Sequence, residues 1–62
     1  MLKLSDIIIQ HHEVNSFAEL LQVVRQRGEQ GLVLIEFDLK PDFGDTPRDW
    51  ETALEIAFTA RR

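Results

Sequence analysis

The chain has 62 residues, a formal net charge of −4 and no cysteine. A chain of this length forms one domain at most, residues 1–62, and buries only roughly 60% of its unfolded surface. The lack of cysteine excludes disulfides and thiolate zinc sites. With 44% apolar residues the chain is expected to fold, and a partner subunit is a common source of added stability for so small a domain.

Membrane insertion and secretion are not expected. The longest uninterrupted apolar run has four residues, whereas a membrane-spanning helix needs about 20. The amino-terminal segment has neither the basic start nor the apolar core of a secretory signal. We therefore expect a cytoplasmic protein.

Residues 5–13 are compatible with two structures. Ser5 is a typical helix N-cap, and Leu4 would then contact Ile9 across the first turn. The three isoleucines at 7–9 favour a strand instead, because β-branched side chains lose rotamer freedom in a helix. The sequence leaves both alternatives open.

Residues 16–27 predict a helix. Ser16 and Glu19 have the spacing of a capping box, and Gly28 is suited to the left-handed conformation that ends many helices. Apolar side chains recur on one face, at Phe17, Leu20, Leu21 and Val24.

Residues 32–39 are the most apolar segment and predict the central strand. Alternation places Val33, Ile35, Phe37 and Leu39 on one face. The opposite face begins apolar and becomes acidic, with Leu32, Leu34, Glu36 and Asp38. Such a strand needs a neighbour, and a helix at 5–13 would leave it without one in its own chain.

The last element is predicted to be a helix over about 47–60, after a loop at 40–45. Thr46 has the properties of an N-cap and Pro47 those of a first helical residue. The apolar side would contain Trp50, Ala53, Leu54, Ala57 and Phe58, widened by Ile56 and Ala60.

These elements predict a small single α+β domain in which two helices pack on a short sheet, with strand 32–39 at its centre. We expect a second copy to complete the sheet in a homodimer. The predicted dimer interface consists of Leu32, Val33, Leu34, Ile35 and Phe37.

Residues 36–55 contain seven acidic and two basic residues, a net charge of −5. We expect a small acidic regulatory or inhibitory protein that binds another protein through residues 36–51. The predicted contact residues are Phe43, Asp42, Asp45, Glu36 and Asp38. Phe43 has a competing interpretation as a plug over the core. No nucleophile elbow or phosphate-binding glycine loop occurs, so we expect neither catalysis nor a cofactor.

The alternative function is DNA binding by a small transcriptional regulator or antitoxin. Residues 22–27 include polar and basic side chains that suit base contacts, namely Gln22, Arg25, Gln26 and Arg27. They would join Arg61 and Arg62 if the two helix ends met. The acidic half of the chain disfavours this alternative, because binding to the phosphate backbone depends on clustered cations.

His11, His12 and Glu13 form the one cluster that resembles a metal or acid–base site. Adjacent histidines point apart on a helix and on a strand, and zinc needs three or four convergent ligands. The aspartates at 38, 42, 45 and 49 do not have the spacing of a calcium loop. We expect no metal; a histidine at a dimer contact would make assembly sensitive to pH near neutrality.

Overall fold

The computed structural model describes residues 2–31 and 34–60. It confirms the small α+β architecture, with helices and a two-stranded parallel sheet. In chain order the elements are β1 (Leu2–Lys3), α1 (Leu4–Gln10), α2 (Phe17–Glu29), β2 (Ile35–Glu36) and α3 (Trp50–Thr59).

The sheet is formed by two very short strands. Leu2 pairs with Ile35 and Lys3 with Glu36, in parallel register. The expectation that a helix near the amino terminus would leave the later strand unpaired is therefore wrong. The pairing residues, Leu2 and Lys3, precede the helix, and a segment of two residues is too short to show the alternation typical of a strand.

The ambiguous segment is a helix, and its start differs from the predicted one. Helix α1 begins at Leu4, with Lys3 in the N-cap position, so Ser5 is not the N-cap. Leu4 is fully buried, whereas Ile9 is 72% exposed. The predicted Leu4–Ile9 contact is wrong because Leu4 is itself the first residue of the helix and lies on its buried face, whereas Ile9 faces solvent.

The central strand is shorter than predicted. Among the described residues it covers Ile35–Glu36, and Leu32 and Val33 lie outside the described residues. The chain leaves the ladder at Phe37, whose ring contacts Trp50 edge-on at a centroid distance of 6.0 Å. The ladder ends here because its partner β1 stops at Lys3, where helix α1 begins, although the apolar alternation of the segment continues.

Helix α2 confirms its predicted cap. The amide of Glu19 donates to the Ser16 hydroxyl at 3.1 Å. The Glu19 carboxylate accepts from the amide of Asn15 at 3.0 Å, one residue earlier than a standard capping box requires. The helix continues through Gly28 to Glu29, so the prediction that Gly28 ends it is wrong.

Gly28 is needed for helix packing. A Cβ atom at this position would overlap the backbone carbonyl of Phe58 in α3. Gly31, three residues later, has the positive φ of 90° expected of a residue that follows a helix. The packing of α2 against α3 encloses most of the core, which consists of Leu4, Ile7, Phe17, Leu20, Val24, Leu54 and Phe58.

Helix α3 begins later than predicted, at Trp50 instead of residue 47. Thr46 does not cap it. The Thr46 hydroxyl accepts from the Phe43 amide at 3.1 Å, and the Thr46 amide donates to the Phe43 carbonyl at 3.2 Å. These two bonds close a turn within the loop, and Ile56 is 62% exposed instead of widening the apolar side.

Candidate protein-interaction surface

Exposed apolar side chains flank β2, the strand predicted to pair with another copy. Leu34 is 60% exposed immediately before β2, and Leu39 is 40% exposed after it. Ile35 and Phe37 are half-buried and pack against the core. Of the predicted interface residues that the structure describes, Leu34 therefore presents the most accessible apolar surface.

The predicted acidic contact residues fall into two groups. All four carboxylates, at Glu36, Asp38, Asp42 and Asp45, are exposed. Asp38 and Asp45 also accept hydrogen bonds from the first turns of two different helices. Glu36 lies in β2, and Asp42 follows the buried Pro41 in the loop.

Asp38 is bonded to the start of α1. Its carboxylate accepts from the Ser5 amide at 3.0 Å and from the Ser5 hydroxyl at 2.5 Å. The bond from the hydroxyl, followed by that from the amide, lowers the pKa of Asp38 because both favour the charged form. Ser5 therefore supports α1 as a donor to a distant carboxylate, and not as the predicted N-cap.

Asp45 has the same relationship to α2. Its two carboxylate oxygens accept from the amide of Phe17 at 2.6 Å and from the amide of Ala18 at 3.1 Å. These bonds, that of Phe17 first, lower the pKa of Asp45. The first amides of a helix have no acceptor within the helix, so Asp45 supplies acceptors that the helix itself lacks.

No signal in the sequence could have assigned these two aspartates to the helix starts. Asp38 is 33 positions from Ser5, and Asp45 is 28 positions from Phe17. Capping rules concern residues within one turn of the helix start. The number of acids in the loop is visible in the sequence, but it predicts a charged surface and does not indicate which carboxylates bind helix amides.

Phe43 is half-buried and packs against the core. Its backbone is held by the two bonds to Thr46 described above, and nearby Pro41 is fully buried. The loop is therefore anchored by apolar contacts between its two bonded aspartates. This placement favours the interpretation of Phe43 as a plug, while part of its ring stays accessible.

Two of the predicted DNA-binding residues, Arg25 and Arg27, contact other side chains of the same chain. The Arg27 guanidinium donates to the Gln10 side chain at 2.7 Å, and Arg25 forms an ion pair with Glu29 at 3.6 Å. Gln22 and Gln26 are exposed. Arg61 and Arg62 lie outside the described residues.

The histidine cluster forms one local contact. His11 Nδ1 lies 3.1 Å from a carboxylate oxygen of Glu13, and His12 is exposed. A backbone hydrogen bond and then the contact with His11 lower the pKa of Glu13. Within residues 2–31 and 34–60, no group of three or more potential metal ligands comes together.

Comparisons with known proteins give the chain no relative. Neither protein-family models, nor curated protein sequences, nor solved structures match it. Over the described parts of the chain, every helix is too short or too polar to cross a membrane.

Proposed function

We propose that the chain is a small non-enzymatic protein that binds or inhibits another protein through the acidic surface at 36–51, and that two copies associate through β2. The observation that supports the association of two copies is the exposed apolar side chain of Leu34 at the edge of β2. It adjoins a strand that pairs, within the described residues, with β1 alone. An accessible strand edge is a template for pairing with another chain.

The geometry favours a symmetric contact between two copies. A twofold axis places the same surface of each copy against its counterpart, so β2 would meet β2 of the second copy in antiparallel orientation. Leu34 of each chain would then be covered. A two-stranded sheet of two residues per strand is weak by itself, and this pairing would extend it to four strands.

The acidic surface suits a basic protein partner. Glu36 and Asp42 supply exposed carboxylates, and the half-buried Phe43 follows Asp42 in the chain. Complementary charge mainly accelerates and selects association, whereas an aromatic anchor contributes affinity. A partner with arginine or lysine around an apolar pocket fits both features.

Sedimentation equilibrium tests the association. We expect the mass to rise from one copy to two over a roughly hundredfold range of protein concentration. Leu34→Lys should keep the chain monomeric, because a charge at a strand edge opposes pairing. Ile56→Lys, at an equally exposed position of α3, is the matched control and should still associate. A native chain that is monomeric throughout would contradict the dimer.

Capture of proteins from the source organism's lysate tests the partner surface. The double variant Glu36→Lys/Asp42→Lys should lose the partner that the native chain captures. Glu55→Lys, which changes an exposed acid of α3 outside the surface, should retain it. Retention by both variants would exclude the 36–51 surface.

DNA binding is the competing function, and a separate experiment tests it. It predicts that the native chain is retained on immobilised DNA and released as salt rises, because protein cations displace counterions from the phosphates. The contacts of Arg25 and Arg27 with Glu29 and Gln10 weigh against it. We expect no salt-sensitive retention.

A further inference from the structure

Two carboxylates attach one loop to two helices. The loop at 37–46 begins beside β2 and ends before α3, and it carries Asp38 near its start and Asp45 near its end. Asp38 binds the first turn of α1, and Asp45 binds the first turn of α2. We call these two side chains the carboxylate latch.

The latch connects parts of the fold that otherwise have limited contact. Helix α1 packs much less extensively on α2 than α3 does, and β1, which precedes α1, pairs with β2 through two residue pairs in the part of the chain that the structure describes. The middle of the loop is held by apolar packing, since Pro41 is buried and Phe43 packs half-buried against the core. Release of the latch would therefore leave the loop held by these apolar contacts alone and would loosen α1, while the interface of α2 with α3 stays intact.

We propose that the carboxylate latch opens in acid. When Asp38 and Asp45 are protonated, the loop at 37–46 detaches from the first turns of α1 and α2, while the packing of α2 against α3 persists. A protonated carboxyl keeps an acceptor but loses the charge that strengthens its bonds to helix amides. The latch is a property of the single chain and does not depend on the proposed partner or on dimerisation.

Several charged groups lie on the elements that adjoin the latch. Lys3 in β1 attracts Asp38 and favours its charged form. The other acids on the adjoining elements are Asp6 in α1, Glu19 in α2, Glu36 in β2, and Asp42 and Asp49 in the segment before α3. His11, His12 and Glu13 follow α1 directly.

The fold contains a natural reporter of the loop. Trp50 is the single tryptophan of the chain, and its ring contacts Phe37, the residue before Asp38. Trp50 fluorescence should therefore respond to release of the loop, whereas far-UV circular dichroism follows the helices. A fluorescence change at higher pH than the loss of helical circular dichroism would therefore identify release of the loop.

The test is a titration of the full chain from about pH 7 to about pH 2 with both signals. We expect the fluorescence midpoint to lie at higher pH than the loss of helix. Asp38→Asn/Asp45→Asn keeps an acceptor at both positions but removes the titration, so it should lose most of the early fluorescence change. Asp42→Asn is the matched control in the same loop and should retain that change.

A second measurement does not depend on the variants folding. In NMR spectra of the native chain, the amide signals of Ser5, Phe17 and Ala18 should shift together with the early fluorescence transition. Coincident fluorescence and helix transitions in the native chain would overturn the proposal. The same holds if these three amides respond only when the helices unfold, or if the double variant keeps the full early change.

Discussion

Gly28 of α2 lies directly against the backbone of Phe58 in α3. A Cβ atom on Gly28 would overlap the carbonyl oxygen and carbon of Phe58. The two helices therefore touch through backbone at this point, and the Phe58 side chain is almost fully buried beside it. Helices α2 and α3 can pack this closely because Gly28 has no Cβ atom.

Gly28→Ala should destabilise the protein even though alanine is the better helix former. Alanine gains about 1 kcal/mol of helix propensity, but forced overpacking typically costs about 1–3 kcal/mol and occasionally more. Because the obstacle is backbone and cannot rotate away, we expect the upper end of that cost, about 3 kcal/mol, and therefore a net loss of about 2 kcal/mol. Urea denaturation measures it. Gly44→Ala, where a Cβ atom meets no neighbour, is the control and should change stability little.

Leu54 and Ile56 should differ sharply although they are two residues apart in α3. Leu54 is fully buried and Ile56 is 62% exposed. Leu54→Ala should cost about 2–5 kcal/mol through lost burial and the resulting cavity, whereas Ile56→Ala should stay within about 0.5 kcal/mol. Thermal unfolding of both variants checks this. Similar losses would mean that Ile56 is covered by something, such as a second copy.

The two N-cap positions should contribute unequally. Ser16 accepts a hydrogen bond from the Glu19 amide, while Asp49 before α3 makes no capping bond with its side chain. Ser16→Ala should therefore cost about 1 kcal/mol, and Asp49→Ala less than half as much. Chemical denaturation of the two variants measures the difference. An equal loss would contradict this prediction and would mean that the charge of Asp49 near the start of α3 contributes as much stability as the capping hydrogen bond of Ser16.

Phe43→Ala should reduce stability as well as any partner binding. The ring is half-buried against the core, so the loss should be about 1–2 kcal/mol, below the 3–5 kcal/mol typical of a fully buried phenylalanine. Differential scanning calorimetry checks the effect. An unchanged melting temperature would contradict the role as a plug and leave Phe43 as a contact residue alone.

Stability should fall as the solution becomes acidic. The pKa values of Asp38 and Asp45 are lowered in the folded chain by their bonds to helix amides. Their contribution is therefore complete above the ordinary aspartate pKa of about 3.9 and is lost as pH falls through the lowered values. The urea midpoint should decrease between about pH 5 and about pH 2. Asp45→Asn should make this decrease smaller, and an unaltered pH dependence would contradict the assignment.

The sequence by itself determined the features that depend on neighbouring residues. The Ser16 cap, the apolar face of α2 and the loop around Pro41 follow from spacing within one or two turns of chain. The small α+β class follows from the same local patterns. A helix near the amino terminus was one of two open alternatives, because three β-branched isoleucines opposed a reasonable helix start.

Only the tertiary structure decided where these elements end and what the polar groups contact. The pairing of Leu2 with Ile35, the overlap that excludes a side chain at Gly28, and the bonds of Asp38 and Asp45 to distant helix starts all join residues about 30 positions apart. No local rule carries such information, because a backbone amide or a carboxylate can be satisfied by any partner that folding brings within hydrogen-bond distance.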